Sequence, residues 1–272
     1  LCCFASNRLA ENKWRRGCAS WKEGRTDAAL EHLSSVGITA PFERERSRIS
    51  YWKIRAFEKS GKEKEASVAA SLLALRDPLG FYTLVLAHSG RYPAVTRIVH
   101  EACGRASYSH RWEREINSAS NKTGVSANTL RALICRASKF NERALSRAGA
   151  MGLMQLMPVT AKEAAARLKT ESISPFEPKH NIILGASHFA RLERRFFHRL
   201  PLAVAAYNAG ASAVSRWEND AEDWVSWIEE IPYKETREYV RAVLRNIEIY
   251  NASDKTENAA SSFFAGAESR PA

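Results

Sequence analysis

Apolar residues recur at three- and four-residue spacing along nearly the whole chain, while the strict alternation of a half-buried strand is almost absent. A stripe at that spacing lies along one face of a helix, and one such face is buried most readily against another helix. The chain is therefore expected to be mainly α. Within residues 1–110 the pattern is more specific. An aromatic-rich helical stretch, a Gly, a basic residue and a second stretch opening towards Ala recur in WKEGRTDAALEHL, FEKSGKEKEASVAASLL and LAHSGRYPAVTRIV. Gly24, Gly61 and Gly90 supply the positive φ that ends one helix and starts the next, at intervals of 37 and 29 residues, as in helical hairpin or superhelical repeats. Trp14, Trp21, Tyr51, Trp52 and Phe57 read as packing between helix pairs rather than ligand contacts.

A chain of 272 residues exceeds the usual single-domain length of roughly 100 to 200, and 45% hydrophobic residues supply a sizeable core. The polar stretch SYSHRWEREINSASNKTGVSAN marks a junction, giving a repeat region at 1–110, a second domain at 111–250 and a flexible tail at 251–272. In that tail Phe263 and Phe264 need a surface to pack on. No run approaches the roughly 20 apolar residues of a membrane span. The opening LCCFASNRLA is what a processed or truncated chain is expected to show.

A formal net charge of +11 suits a polyanionic partner, whether nucleic acid, an anionic membrane surface or a carboxylate-rich cell wall. No basic block is interleaved with base-stacking aromatics, so no nucleic-acid partner is expected. The five cysteines and seven histidines show no zinc-like spacing, and neither a metal nor a cofactor is expected.

Beyond the junction local signals sharpen. Ser126 is placed as an N-cap, with Val125 and Leu130 at the positions of a hydrophobic staple. Leu130, Leu133, Ile134 and Ala137 follow at i, i+3, i+4 and i+7 on one helical face. Thr160 and Glu163 have the spacing of a capping box opening a further helix. Pro178 suits a first helical turn ahead of Ile182, Ile183, Ala186 and Phe189, and Gly210 ends a short apolar helix. Tyr239, Val240, Val243, Leu244 and Ile247 recur along a long last helix from about Lys234 to Tyr250.

Four segments in this order, ALICRASKFN, SRAGAMGLMQLMP, AAYNAG and IPYKETREYV, resemble the lysozyme-like catalytic domain of the soluble lytic transglycosylases. ISYWKIRAFEKSGKEKEA and DPLGFYTLVL are similar to the end of the helical superhelix that precedes it in larger members. In the family the first segment carries a Glu-Ser pair followed by an aromatic, and that Glu is the sole acid/base. Here Ser138 and Phe140 match and Ala137 stands at the Glu position. The end of an apolar stripe suits such a carboxyl, since poor solvation raises its pKa and keeps it protonated near neutral pH. Alanine keeps the helix and loses the proton.

The resemblance implies cleavage of the β-1,4 bond between N-acetylmuramic acid and N-acetylglucosamine in peptidoglycan, in the periplasm. The acid protonates the leaving oxygen, and the carboxylate then takes the proton of the muramyl 6-hydroxyl to close a 1,6-anhydro ring. It further implies substrate-binding roles for Ser146, Gln155, Met157, Tyr207, Asn208, Glu235 and Tyr239. Glu142, where many members have Pro, is a poor replacement acid. Two readings follow: an enzyme whose acid has been replaced, and a non-catalytic peptidoglycan-binding or scaffold protein.

Overall fold

The computed structural model describes residues 2–37, 43–106, 109–170, 174–217, 221–254 and 263–269. It divides into two compact units, Leu1–Arg105 and Ala106–Ala272, a few residues before the 110/111 junction expected above.

The first unit is a series of helical hairpins: α1 (Cys2–Lys22) with α2 (Thr26–Gly37), α3 (Glu43–Lys59) with α4 (Glu63–Arg76), and α5 (Phe81–His88) with α6 (Pro93–Arg105). Gly24, Gly61 and Gly90 turn the chain at φ +73°, +69° and +73°. At the first two, the N–H groups of Arg25 and Lys62 reach back to the carbonyls of Ser20 and Phe57, the long bond of a Schellman motif. The aromatics pack edge to face between helices. Trp52 meets Trp14, Trp21 and Tyr51 at ring distances of 6.4, 5.5 and 5.6 Å, and Tyr51 continues to Tyr82.

The second unit contains α7 (Glu113–Thr123), α8 (Ala127–Ser138), α9 (Pro158–Leu168), α10 (Pro178–Arg195), α11 (Leu200–Ala209), α12 (Ala211–Val214), α13 (Trp224–Glu230) and α14 (Lys234–Asp254). Helices α8 and α11 pack on α14, whose Val240, Val243 and Leu244 are buried against them. The Ser126 cap forms, its hydroxyl accepting the Thr129 N–H at 3.1 Å, and Val125 and Leu130 beside it are buried. The Thr160–Glu163 capping box does not form. Pro158 takes the first turn of α9, so the helix has begun before Thr160, and Met157 is its N-cap without a side-chain bond. In the stripe of α10, Ile182, Ala186 and Phe189 are buried and Ile183 only partly. Gly210 ends α11 at φ +86°.

Helix α14 runs beyond Tyr250 to Asp254. Of the segment expected as a tail, Phe263–Gly266 forms a 3₁₀ turn against α14, with Phe264 and Ala267 buried. Residues 255–262 and 270–272 lie outside the described residues.

One ion-paired cluster ties three helices of this unit. Arg131 on α8, 6% exposed, pairs with Glu113 on α7, with Asp254 on α14 at 2.9 Å, and with Asn128. Asn128 in turn donates to Asn251 at 3.0 Å. Among the described residues no helix is long and apolar enough to cross a membrane.

Candidate functional site

The last turn of α8 carries Ala137, partly buried, after Leu130, Leu133 and Ile134, which are wholly buried. The helix then stops abruptly. Lys139 and Phe140 both adopt positive φ, 52° and 61°, a costly pair for side-chain-bearing residues that is held because Phe140 is buried at 3% exposure. The chain turns there into a loop that returns at α9.

That loop is closed by its own hydrogen bonds. Met151 bridges to both Leu145 and Leu156. The Ser146 hydroxyl accepts the Ala150 N–H at 2.9 Å, which leaves its own O–H to donate elsewhere. Gln155, at φ 49°, donates both amide hydrogens to the carbonyls of Ala144 and Gly152, at 3.0 and 2.9 Å. Its amide therefore keeps an acceptor, Oε1, and no donor to offer a ligand. Met157 is 43% exposed at the start of α9.

Helix α10 holds the loop from behind. The Asn181 amide, 1% exposed, donates to the carbonyls of Met151 and Pro175 at 3.0 and 2.7 Å and accepts the Met154 N–H at 2.7 Å. Gly185 lets the loop lie directly on the helix, since a Cβ there would come within 2.3 Å of the Met154 sulfur. Neither residue was singled out from sequence. The available signals were a buried-position Asn opening an apolar stripe and a Gly inside a helix, where it costs about 1 kcal/mol relative to Ala. Asn181→Ala is expected to cost about 2–4 kcal/mol, because one N–H and two carbonyls lose their partner. Urea midpoints would measure it, and a midpoint within experimental error of the parent would contradict this placement.

Helices α11 and α14 supply the opposite side. The Tyr207 hydroxyl donates to the Met154 carbonyl at 2.9 Å, so both backbone groups of Met154 are held by side chains. Burial pushes the Tyr207 phenol well above its ordinary pKa, with the neighbouring Tyr239 adding to the shift. Asn208 accepts the buried Thr236 hydroxyl at 2.7 Å, joining the end of α11 to the first turn of α14. Tyr239 is 7% exposed and lies under the Arg136 guanidinium, 5.7 Å from the ring centre. Burial raises its phenol pKa too. Glu235 is exposed in the first turn of α14, where the helix dipole suits it. Glu142 sits 3.5 Å from Arg111 in an ion pair. The structure thus joins Ser146, Gln155, Tyr207, Asn208 and Tyr239 through one set of loop and helix contacts, while Met157 and Glu235 are exposed.

His188 of α10 packs against Tyr207 at a ring distance of 5.5 Å. Burial first, then Arg191 and Arg167, pushes its pKa from 6.5 down to about 4. The folded protein therefore keeps His188 neutral where the unfolded chain takes up a proton. Stability attributable to this group is present above about pH 6.5 and is lost as pH falls towards 4. His188→Phe is expected to flatten this part of the pH–stability curve. Urea midpoints between pH 7 and 5 that fall equally in both proteins would remove His188 as the cause.

The last turn of α8 carries no carboxylate. Among the described residues no group of His, Cys, Asp and Glu is arranged to hold a metal. The family model "Transglycosylase SLT domain" matches residues 114–227. The putative soluble lytic murein transglycosylase of Haemophilus influenzae is 34% identical over 148 residues, covering 52% of this chain and 25% of that protein. The soluble lytic murein transglycosylase of Salmonella typhimurium is 35% identical over 130 residues, covering 44% and 20%. The chain thus spans a quarter or less of these relatives. In fold it is similar to a 70-kDa soluble lytic transglycosylase solved in complex with bulgecin A, with a TM-score of 0.73 at 19% identity, over 96% of this chain and 54% of that one. The 70-kDa enzyme of Escherichia coli gives a TM-score of 0.63 at 20% identity, over 82% and 48%.

Proposed function

We propose that residues 114–227, which match the transglycosylase SLT domain model, form a domain of the soluble lytic murein transglycosylase kind, and that the chain binds peptidoglycan glycan strands at the loop beside α8 and lacks the acid that would cut them. The observation that carries this reading is the intact support of the loop by Asn181, Gly185 and Tyr207 around a last turn of α8 in which Ala137 replaces the expected carboxyl. Ser146, Gln155, Met157, Tyr207, Asn208, Glu235 and Tyr239 are the proposed substrate-binding set. Of these, Tyr207 and Gln155 act largely by fixing the loop, since their donors are already committed to backbone carbonyls.

The chemistry of this kind of site is non-hydrolytic. A carboxyl at position 137 would protonate the glycosidic oxygen between N-acetylmuramic acid and N-acetylglucosamine. It would then accept the proton of the muramyl 6-hydroxyl as the 1,6-anhydro ring closes, in cell-wall turnover in the periplasm. The helical hairpins of residues 1–110 are proposed as a superhelix-like region. The alternative to an enzyme whose acid has been replaced is a non-catalytic peptidoglycan-binding or scaffold protein that keeps the domain only as a glycan groove. It is favoured by the same alanine together with the engagement of Glu142 by Arg111.

The test is co-sedimentation of the purified chain with purified sacculi and titration with N-acetylglucosamine oligosaccharides. Saturable binding without anhydromuropeptide release is expected. Absence of binding to both would overturn the assignment, and rapid release of anhydro products would overturn the inactive state.

A further inference from the structure

Tyr233 stands at the start of α14 and is 52% exposed. Its carbonyl accepts the Arg237 N–H at 3.0 Å, which fixes its backbone to the first turn of the helix. Its ring meets the half-buried Trp217 at a centroid distance of 5.2 Å and an interplanar angle of 90°. In a perpendicular pair only one ring lends its face, so Trp217 leaves at least one face of Tyr233 uncovered, and the exposure of the residue puts ring surface in contact with solvent.

An isolated aromatic on a surface is ordinary. Tyr233 differs in being braced by a second ring, and both halves of the brace come from segments that carry proposed substrate-binding residues. Trp217 follows α12, which the chain enters from Asn208 across Gly210, and Tyr233 lies two positions before Glu235. The Thr236 hydroxyl donates to Asn208 at 2.7 Å and pins these two segments together. Helix geometry sets Tyr233 about 9 Å along α14 from Tyr239, the residue that meets Arg136 of α8. The exposed ring is thus displaced along α14 from the turn that carries Ala137.

A β-linked N-acetylhexosamine carries its ring substituents equatorially, so each face of the pyranose is a patch of axial C–H groups. Those hydrogens are slightly positive and meet the negative face of an aromatic ring, and both surfaces shed water as they join. A ring already held in place loses little side-chain freedom on binding.

We propose that Tyr233, braced by Trp217, is a stacking platform for one N-acetylhexosamine ring of a glycan strand, at a position away from the bond beside Ala137. This rests on the glycan-binding reading above and adds a sugar position to it.

The test is calorimetry of the full chain with the N-acetylglucosamine hexasaccharide. Tyr233→Leu keeps apolar bulk and removes the π face, and is expected to raise Kd roughly tenfold. Tyr233→Phe keeps the face and should bind as the parent does. Parent-like affinity in Tyr233→Leu, or equal weakening in Tyr233→Phe, overturns the platform and leaves glycan binding standing. A parent chain that binds no hexasaccharide overturns the glycan reading and the platform with it. If Tyr233→Leu fails to fold, the unsubstituted chain decides: with the hexasaccharide bound, nuclear Overhauser contacts between the Tyr233 ring protons and pyranose C–H protons are expected, and their absence at saturation overturns the platform.

Discussion

Ala137→Glu is expected to turn on release of 1,6-anhydromuropeptides from purified sacculi, with a gain of at least about 10²- to 10⁴-fold. That range is typical of one general acid or base, and here a single carboxyl would serve both proton transfers. The surroundings favour it. The new side chain would extend from a partly buried turn whose preceding stripe is fully buried, which raises a carboxyl pKa. Ala137→Gln separates chemistry from shape: it restores the bulk without a transferable proton and should bind glycan without cutting it. A Glu variant that folds and binds strands yet releases no anhydro product would show that the site lacks more than its acid.

Arg131→Ala is expected to destabilise the second unit by about 3 kcal/mol, or roughly 6–12 °C in its unfolding midpoint. The guanidinium is 7% exposed and holds two carboxylates at once, Glu113 and Asp254, which retain 32% and 25% exposure. Their partial hydration places the cost at the lower end of the range for a broken buried pair. The Glu113 carboxyl is held below its ordinary pKa: burial opposes the shift, and the bonds and charge of Arg131 and His110 outweigh it. Its stabilising contribution is therefore present above the ordinary carboxylate range and fades as pH falls into and below it. In Arg131→Ala this acid sensitivity should weaken along with the midpoint. A thermal midpoint within about 2 °C of the parent would place the strength of the unit elsewhere.

The parts of the fold that were legible are those whose cause is local. Gly24, Gly61 and Gly90 needed positive φ, and Ser126 had its N–H partner three residues on. The Thr160–Glu163 spacing misled because Pro158 had already fixed the first turn of α9. Arg131 gave no local signal: its partner Asp254 lies 123 positions away and beyond the expected end of the last helix. Asn181 is comparable, bonding a backbone N–H 27 positions earlier. The resemblance assigned Gln155 and Tyr207 to the site, and the structure shows their donors committed to backbone carbonyls.

The sequence by itself determined the helices and most of their turns, because periodicity and caps are properties of neighbouring residues. Only the tertiary structure decided which polar groups are already spent and which are left over. Hydrogen-bond satisfaction depends on which distant atoms meet, and burial makes each unmet donor costly. Gln155 and Tyr207 therefore read by resemblance as ligand-facing groups in the chain, and as donors spent on backbone carbonyls in the folded protein.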